Sequence, residues 1–252
     1  MTAEPERRPR RQRSSVVGVL GELLMTAGVV ILLFLGWQLW FNNVVSENEQ
    51  KSVADELSQE WEAAPSATPT VDPETPADPG VPVVTAAPAA NEAFANLIVP
   101  RLGADFKRPI AEGVGGAVLN NTRLGMGHYP STQLPGELGN FALASHRSAY
   151  GGAFHNIHQL VVGDAIFVET ADGWYKYIYR SMEYVRSSGV GVILPVPQDP
   201  TATPTEGIIT LTTCNPFYSS AERIIAYGVF DSWYPRAGGP PSEIAAIATV
   251  TS

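Results

Sequence analysis

A single cysteine, Cys214, ends the β-branched run Ile208-Ile209-Thr210-Leu211-Thr212-Thr213 in a chain of 252 residues. Strand periodicity places Cys214 on one face with Thr212, Thr210 and Ile208, and puts Ile209, Leu211 and Thr213 on the other. Asn215-Pro216 breaks that run, and Arg223 opens the next one. If the two strands pair as neighbours, Arg223 stands alongside Cys214 near one end of their ladder. A free thiol, with a pKa of about 8.5, is a weak nucleophile until a base or a cation activates it. His146 closes another strand-like stretch, Asn140-Phe141-Ala142-Leu143-Ala144-Ser145. Its imidazole titrates near neutrality and can protonate a leaving amine. Arg223 keeps its charge, so its use would be to hold an acyl carbonyl or a developing oxyanion. A lone cysteine is also commonly a small buried hydrophobe. These residues by themselves leave both readings open, a thiol nucleophile and an inert core side chain.

The other histidines carry less. His155 and His158 flank the apolar stripe Phe154-x-x-Ile157-x-x-Leu160 and read as solvated side chains; no nearby carboxylate completes a metal site with them. His128, in Gly127-His128-Tyr129-Pro130, reads as part of a turn-rich loop, with a structural role ahead of one lining a groove. No metal or cofactor is expected, and one cysteine excludes an intramolecular disulfide.

The elements that must position these groups lie in the last of three regions. Residues 1–15 hold Arg7, Arg8, Arg10, Arg11 and Arg13. Residues 16–41 are apolar apart from Glu22, and the uncharged stretch 23–41 measures about 28 Å as a helix, close to the hydrocarbon thickness of a bilayer. Trp37 and Trp40 fall near its far end, where an aromatic belt belongs. The stretch is longer than a signal-peptide core and leads to no small-residue cleavage site, so it reads as a single-pass membrane anchor. The arginines before it place the amino terminus in the cytoplasm and the remainder outside.

Residues 42–94 contain ten acidic side chains and one basic, with seven prolines from Pro65 to Pro88. They read as an extracytoplasmic stalk, with a short helix between residues 46 and 62 that repeats Val53, Leu57 and Trp61. Residues 95–236 form the core domain, and 237–252 a tail in which Ile244-Ala245-Ala246-Ile247-Ala248 packs as a short helix. From residue 95 onward there are 10 basic and 12 acidic side chains, so the net charge of −9 belongs mainly to the stalk. That balance argues against nucleic acid as a partner. Gly and Pro number 23 and 21, and strand-like runs recur at 96–100, 140–144, 164–169, 174–179, 207–213 and 223–230. Thr170-Ala171-Asp172-Gly173 links two of them as a hairpin. The pattern predicts an all-β barrel or sandwich.

Taken together, these segments resemble sortases. Thr210-Leu211-Thr212-Thr213-Cys214 is similar to the family's TLxTC signature, and Arg223 follows nine residues later, where the family's arginine is expected. The stretch from Asn140 to Arg147 is similar to the segment ending in the catalytic histidine, and Phe154-x-x-Ile157-x-x-Leu160-x-x-Gly163-Asp164 to the joint after it. Gly127-His128-Tyr129-Pro130, Leu134-Pro135-Gly136 and Thr213-Cys214-Asn215-Pro216 look most like class E sortases of high-GC Gram-positive bacteria.

The resemblance implies an eight-stranded β-barrel and a cysteine transpeptidase. Cys214 would attack between Thr and Gly of a C-terminal LPxTG-like or LAxTG-like sorting motif on secreted proteins. His146 would serve as general acid and base, and Arg223 would position substrate and stabilise the oxyanion. An amine of a cell-wall precursor such as lipid II would accept the acyl group. The Asp-Pro-aromatic lid of pilus-type enzymes has no match, because Glu74 and Gly80 follow Asp72-Pro73 and Asp78-Pro79. A housekeeping role is therefore expected ahead of pilin polymerisation. A different thiol enzyme finds no His-Gly-Cys or Cys-Gly-x-Cys-Trp motif, and an anchored binding domain with an inert cysteine is the alternative from another class.

Overall fold

The computed structural model describes residues 15–64, 81–84 and 87–248. The chain divides into two compact units between Asn42 and Asn43. In the first, helix α1 (Val16–Gly36) is capped by Ser15, whose hydroxyl accepts the Gly18 amide at 3.0 Å. It runs 21 residues with none buried, long and apolar enough to cross a membrane. A π-helical turn follows at Trp37–Phe41, and the rings of Phe34, Trp37 and Phe41 stack in sequence.

The second unit is a closed eight-stranded barrel, as expected. Its strands are β1 (Ala93–Ile98), β2 (Lys107–Glu112), β3 (Met126–His128), β4 (Gly139–Ser145), β5 (Ala165–Glu169), β6 (Gly173–Arg186), β7 (Gly207–Asn215) and β8 (Glu222–Pro235). They close in the order β1-β2-β3-β4-β7-β8-β6-β5, with β2–β3 and β4–β7 parallel and the other pairs antiparallel. Alternation sends Leu97, Ile110, Phe141, Leu143, Ile209 and Leu211 into one buried core. Removing such side chains from water, at about 25 cal/mol per Å², is the main force closing the barrel.

Two strands escaped the sequence patterns. β2 carries Lys107, Arg108 and Glu112, and β3 is three residues long, so neither shows strand-like alternation. Their pairing depends on Gly127, where a Cβ would stand 2.0 Å from the Gly113 carbonyl oxygen. His128 is correspondingly not in a loop. It lies buried in β3, bonded through Nδ1 to Glu112 at 2.7 Å and stacked on Phe141, which makes its role structural.

The stalk expected over 42–94 is corrected at its start. Helix α2 (Asn42–Ala63) packs on the outside of the barrel and buries Ser46, Gln50, Val53, Ala54 and Ser58. That face is mostly small and polar; Leu57 and Trp61, expected on it with Val53, are only half-buried. The barrel surface beneath explains this choice of residues. Glu169 is fully buried there and accepts from Ser58 Oγ at 2.7 Å and Asn96 Nδ2 at 3.0 Å on one oxygen, and from Arg236 Nη2 at 3.1 Å on the other. Lys107, also fully buried, lies 3.2 Å from Asp55 and 3.8 Å from Glu169. Arg236 sits over the rings of Trp61 and Trp174. A polar site on the sheet selects a polar face on the helix, because every buried polar group needs a partner. The proline-rich stretch at 65–80 lies outside the described residues. In the tail, helix α4 (Ala245–Ala248) and Ile244 pack against Ile98, Phe167 and Trp174, as expected.

Candidate active site

The barrel brings the three predicted site residues onto adjacent strands. In the β7–β8 ladder Cys214 pairs directly with Arg223, so the side chains share one face. In the parallel β4–β7 ladder the last paired residues are Ala144 and Thr212. His146 and Cys214 each lie two residues beyond them, on strands about 4.8 Å apart. Thr213 Oγ1 donates to the Ser145 carbonyl at 2.8 Å and ties the two ends together. Cys214 therefore lies on a strand end flanked by the ends of the strands that carry His146 and Arg223. It is half-buried and forms no disulfide.

The face holding these groups is opposite the core. Thr210, Thr212 and Cys214 alternate with Ile209 and Leu211, and Ala142, Ala144 and His146 with Phe141 and Leu143. Thr210 Oγ1 donates to Asn140 Oδ1 at 2.6 Å, and Asn140 Nδ2 donates to the Val192 and Leu194 carbonyls of the β6–β7 connection, each at 3.0 Å. Tyr129 reaches across the same face to Thr212, at 3.2 Å between hydroxyls.

His146 and Arg223 each have a further support. His146 Nε2 lies 2.8 Å from Asn120 Oδ1, at the end of helix α3 (Gly116–Leu119), and Tyr150 lies against its ring at 5.4 Å. With Asn120 Oδ1 as the acceptor, this bond assigns the proton of the neutral ring to Nε2. Burial lowers the His146 pKa from its ordinary value, favouring the neutral imidazole. Arg223 Nη1 donates to the Ser220 and Glu222 carbonyls, each at 2.9 Å, which fixes the guanidinium at the mouth of the β7–β8 loop. Behind the three runs a further chain of bonds. Arg147 Nη1 donates to Asn215 Oδ1 at 2.5 Å, and Asn215 Nδ2 donates to Glu222 at 2.9 Å. Arg147 is buried and lies 4.0 Å over the Phe217 ring. These three residues are the immediate chain neighbours of His146, Cys214 and Arg223.

The sequence offered no signal for Asn120, 26 residues from His146, or for Tyr150, which meets the ring only through the turn of the chain. His155 and His158 are both exposed, as read, and His155 stacks on Phe217. Among the described residues, no group of three or more His, Cys, Asp or Glu side chains is placed to hold a metal ion.

A closed barrel of this strand order, with a cysteine, a histidine and an arginine at the ends of adjacent strands, defines a sortase-type fold. Residues 97–231 match the sortase domain family, and the chain belongs to it. Within the family it is most like class E. It is 34% identical over 226 residues to sortase SrtE2 of Streptomyces coelicolor, covering 88% of this chain and 85% of that protein. With sortase SrtE1 of the same organism it shares 32% identity over 250 residues, 96% of this chain but only 65% of that protein. A crystal structure of that sortase E1, with a tripeptide in its active site, superposes with a TM-score of 0.57 at 37% identity, over 63% of this chain and 99% of the other. The SrtA sortase from Actinomyces oris superposes with a TM-score of 0.63 at 38% identity, over 68% and 98%.

Proposed function

We propose that the protein is a membrane-anchored transpeptidase that cleaves a C-terminal LPxTG-like or LAxTG-like sorting motif between Thr and Gly. The observation that carries this reading is the direct pairing of Cys214 with Arg223 while His146 follows directly on the strand on the other side. The Cys214 thiolate adds to the threonine carbonyl carbon, and the negative charge that builds on oxygen meets the Arg223 guanidinium. The C–N bond then breaks, protonated His146 gives its proton to the departing glycine amine, and a thioester remains. An incoming amine, on a cell-wall precursor such as lipid II, attacks the thioester and yields its proton to neutral His146. The new amide forms and the Cys214 thiolate leaves, so every proton is returned.

In this reading α1 is the anchor, with residues 1–15 in the cytoplasm and the barrel outside, where secreted substrates emerge. Support comes from the length of the helix, none of whose residues is buried, and from the arginines before it. The test incubates the full chain in detergent with a sorting-motif peptide and an amine such as triglycine, and follows both products by mass. Cleavage and transfer are expected, with a Cys214-bound acyl group on the way. Cys214→Ala should abolish both; turnover in that variant would sink the assignment. His146→Ala and Arg223→Ala should each lower the rate by orders of magnitude, and unchanged rates would remove their roles.

A further inference from the structure

Helix α2 grips one peptide group of the loop that follows His146. The Tyr150 carbonyl accepts from Gln50 Nε2 at 2.8 Å, and the Gly151 amide donates to Asn43 Oδ1 at 3.3 Å. These two backbone groups belong to the same peptide plane. Asn43 and Gln50 stand seven residues apart, two turns along one face of α2. Asn43 Nδ2 adds a bond to the Ser148 carbonyl at 3.3 Å.

That plane needs holding. Tyr150, Gly151 and Gly152 have φ of 50°, 81° and 49°, three left-handed residues in succession. Glycine adopts this region freely, but a tyrosine there is strained, and such strain persists only where the surroundings over-determine it. Turning the Tyr150–Gly151 plane would let Tyr150 relax and carry its ring off His146, against which it lies at 5.4 Å between centroids.

Gln50 also touches the other supports of His146. It is fully buried, with its amide seated between Gly151 and Gly125. The Gly125 carbonyl accepts from Ser145 Oγ at 2.7 Å, one residue before His146, and the Gly125 amide donates to the Val118 carbonyl at 3.1 Å, two residues before Asn120. Gln50 Oε1 has no hydrogen-bond partner among the described residues. A buried amide with an unmet oxygen costs stability, and an apolar side chain of the same length would leave none. Packing alone therefore does not account for a glutamine here; the donor on Nε2 does.

We propose that Gln50 and Asn43 are positioning residues for the reaction, acting from α2 through the Tyr150–Gly151 peptide to hold the His146 ring. The inference rests on the transpeptidase reading, in which that ring transfers the proton. Misplacing a reacting group by about 1 Å can cost about a hundredfold in rate.

The full chain in detergent is compared with Gln50→Met, Asn43→Ala and, on the exposed face of α2, Gln59→Met. Gln50→Met keeps the volume and removes both the Nε2 donor and the unmet Oε1, so the melting temperature should stay within about 4 °C. It should lower kcat about tenfold with KM within about twofold. Gln59→Met should leave both as they are. With Tyr150 released, water reaches the His146 ring and its titration should rise, read from its C–H resonances. The titratable and charged groups around that ring are Tyr150 and Arg147 on its own segment and Cys214 and Arg223 on the adjoining strand ends. None of them changes in Gln50→Met, which exchanges one neutral side chain for another. In a Tyr150→Ala background the same exchange should add little, since both act by one route. Should Gln50→Met fail to fold, Asn43→Ala, at a half-buried position, decides by the same readouts. An unmoved kcat and titration would overturn the proposal. So would a kcat loss that follows the melting temperature while His146 titrates as in the parent, or full additivity with Tyr150→Ala. No turnover in the parent chain would count against the transpeptidase reading, with the His146 titration still deciding the positioning.

Discussion

Replacing Glu169 by alanine tests whether α2 is a fixed part of the barrel. The carboxylate is fully buried and accepts from Ser58, Asn96 and Arg236, with Lys107 3.8 Å away. Several of those partners have a second bond to fall back on. Ser58 Oγ and Asn96 Nδ2 each donate to the Ala54 carbonyl, Lys107 retains Asp55, and Arg236 retains the Thr170 carbonyl. The hydrogen-bond loss is therefore small, and the main cost is two buried cations left with less counter-charge. Breaking one partner of a buried ion pair costs about 3–5 kcal/mol, and the surviving Lys107–Asp55 contact puts Glu169→Ala at the low end, about 3 kcal/mol. Glu169→Gln, which keeps the shape and the acceptor, should cost less. Urea titration of the full chain in detergent, followed by tryptophan fluorescence, measures the change. Amide exchange over residues 43–63 should also accelerate, because α2 loses its central anchor. A loss below about 1 kcal/mol, the value of an exposed ion pair, with exchange in α2 unchanged, would refute the reasoning.

Burial places the His146 pKa below its ordinary value, so the unfolded chain takes up the proton first as pH falls. The stability linked to neutral His146 is then present above about pH 6.5 and declines below it. Tyr150→Ala should raise the titration of the His146 ring toward about 6.5, read from its C–H resonances; an unmoved or lower value would exclude the ring as the cause. Asn215→Ala cuts both the Arg147 and the Glu222 links behind the site. At about 0.5–1.5 kcal/mol per bond, this should destabilise the fold by about 1–3 kcal/mol, read as a lower melting temperature, and the loosened support should also lower kcat/KM. Gly127→Ala brings a Cβ against the Gly113 carbonyl and should destabilise the β2–β3 edge by about 1–3 kcal/mol, seen as a lower melting temperature of the full chain.

Much of this molecule was legible along the chain because the relevant physics is local. The apolar stretch became α1, since a run of uncharged side chains needs no partner to declare its length. Strand periodicity alone put Cys214 on a face with Thr212 and Thr210, and spacing alone suggested Arg223 as its neighbour; the β7–β8 register pairs them. The hairpin between β5 and β6 and the Phe154/Ile157/Leu160 turn were equally visible, because turn residues and apolar spacing act within a few positions.

What tertiary structure decided was every property that depends on a surface supplied from elsewhere. The sequence of α2, acidic and with only Val53, Leu57 and Trp61 in apolar register, reads as part of a solvated stalk until Glu169, Lys107 and Asn96 on the barrel offer partners to Ser58, Asp55 and the Ala54 carbonyl. β2 and β3 lack alternation because their polar residues find partners on other elements, Lys107 on α2 and His128 of β3 on Glu112 of β2. Asn120 and Tyr150 bear on His146 only because α3 and the loop after β4 fold back to it. The chemistry of the thiol, imidazole and guanidinium could be named from residue types and spacing. Their support exists only once distant polar groups are buried together and must satisfy one another.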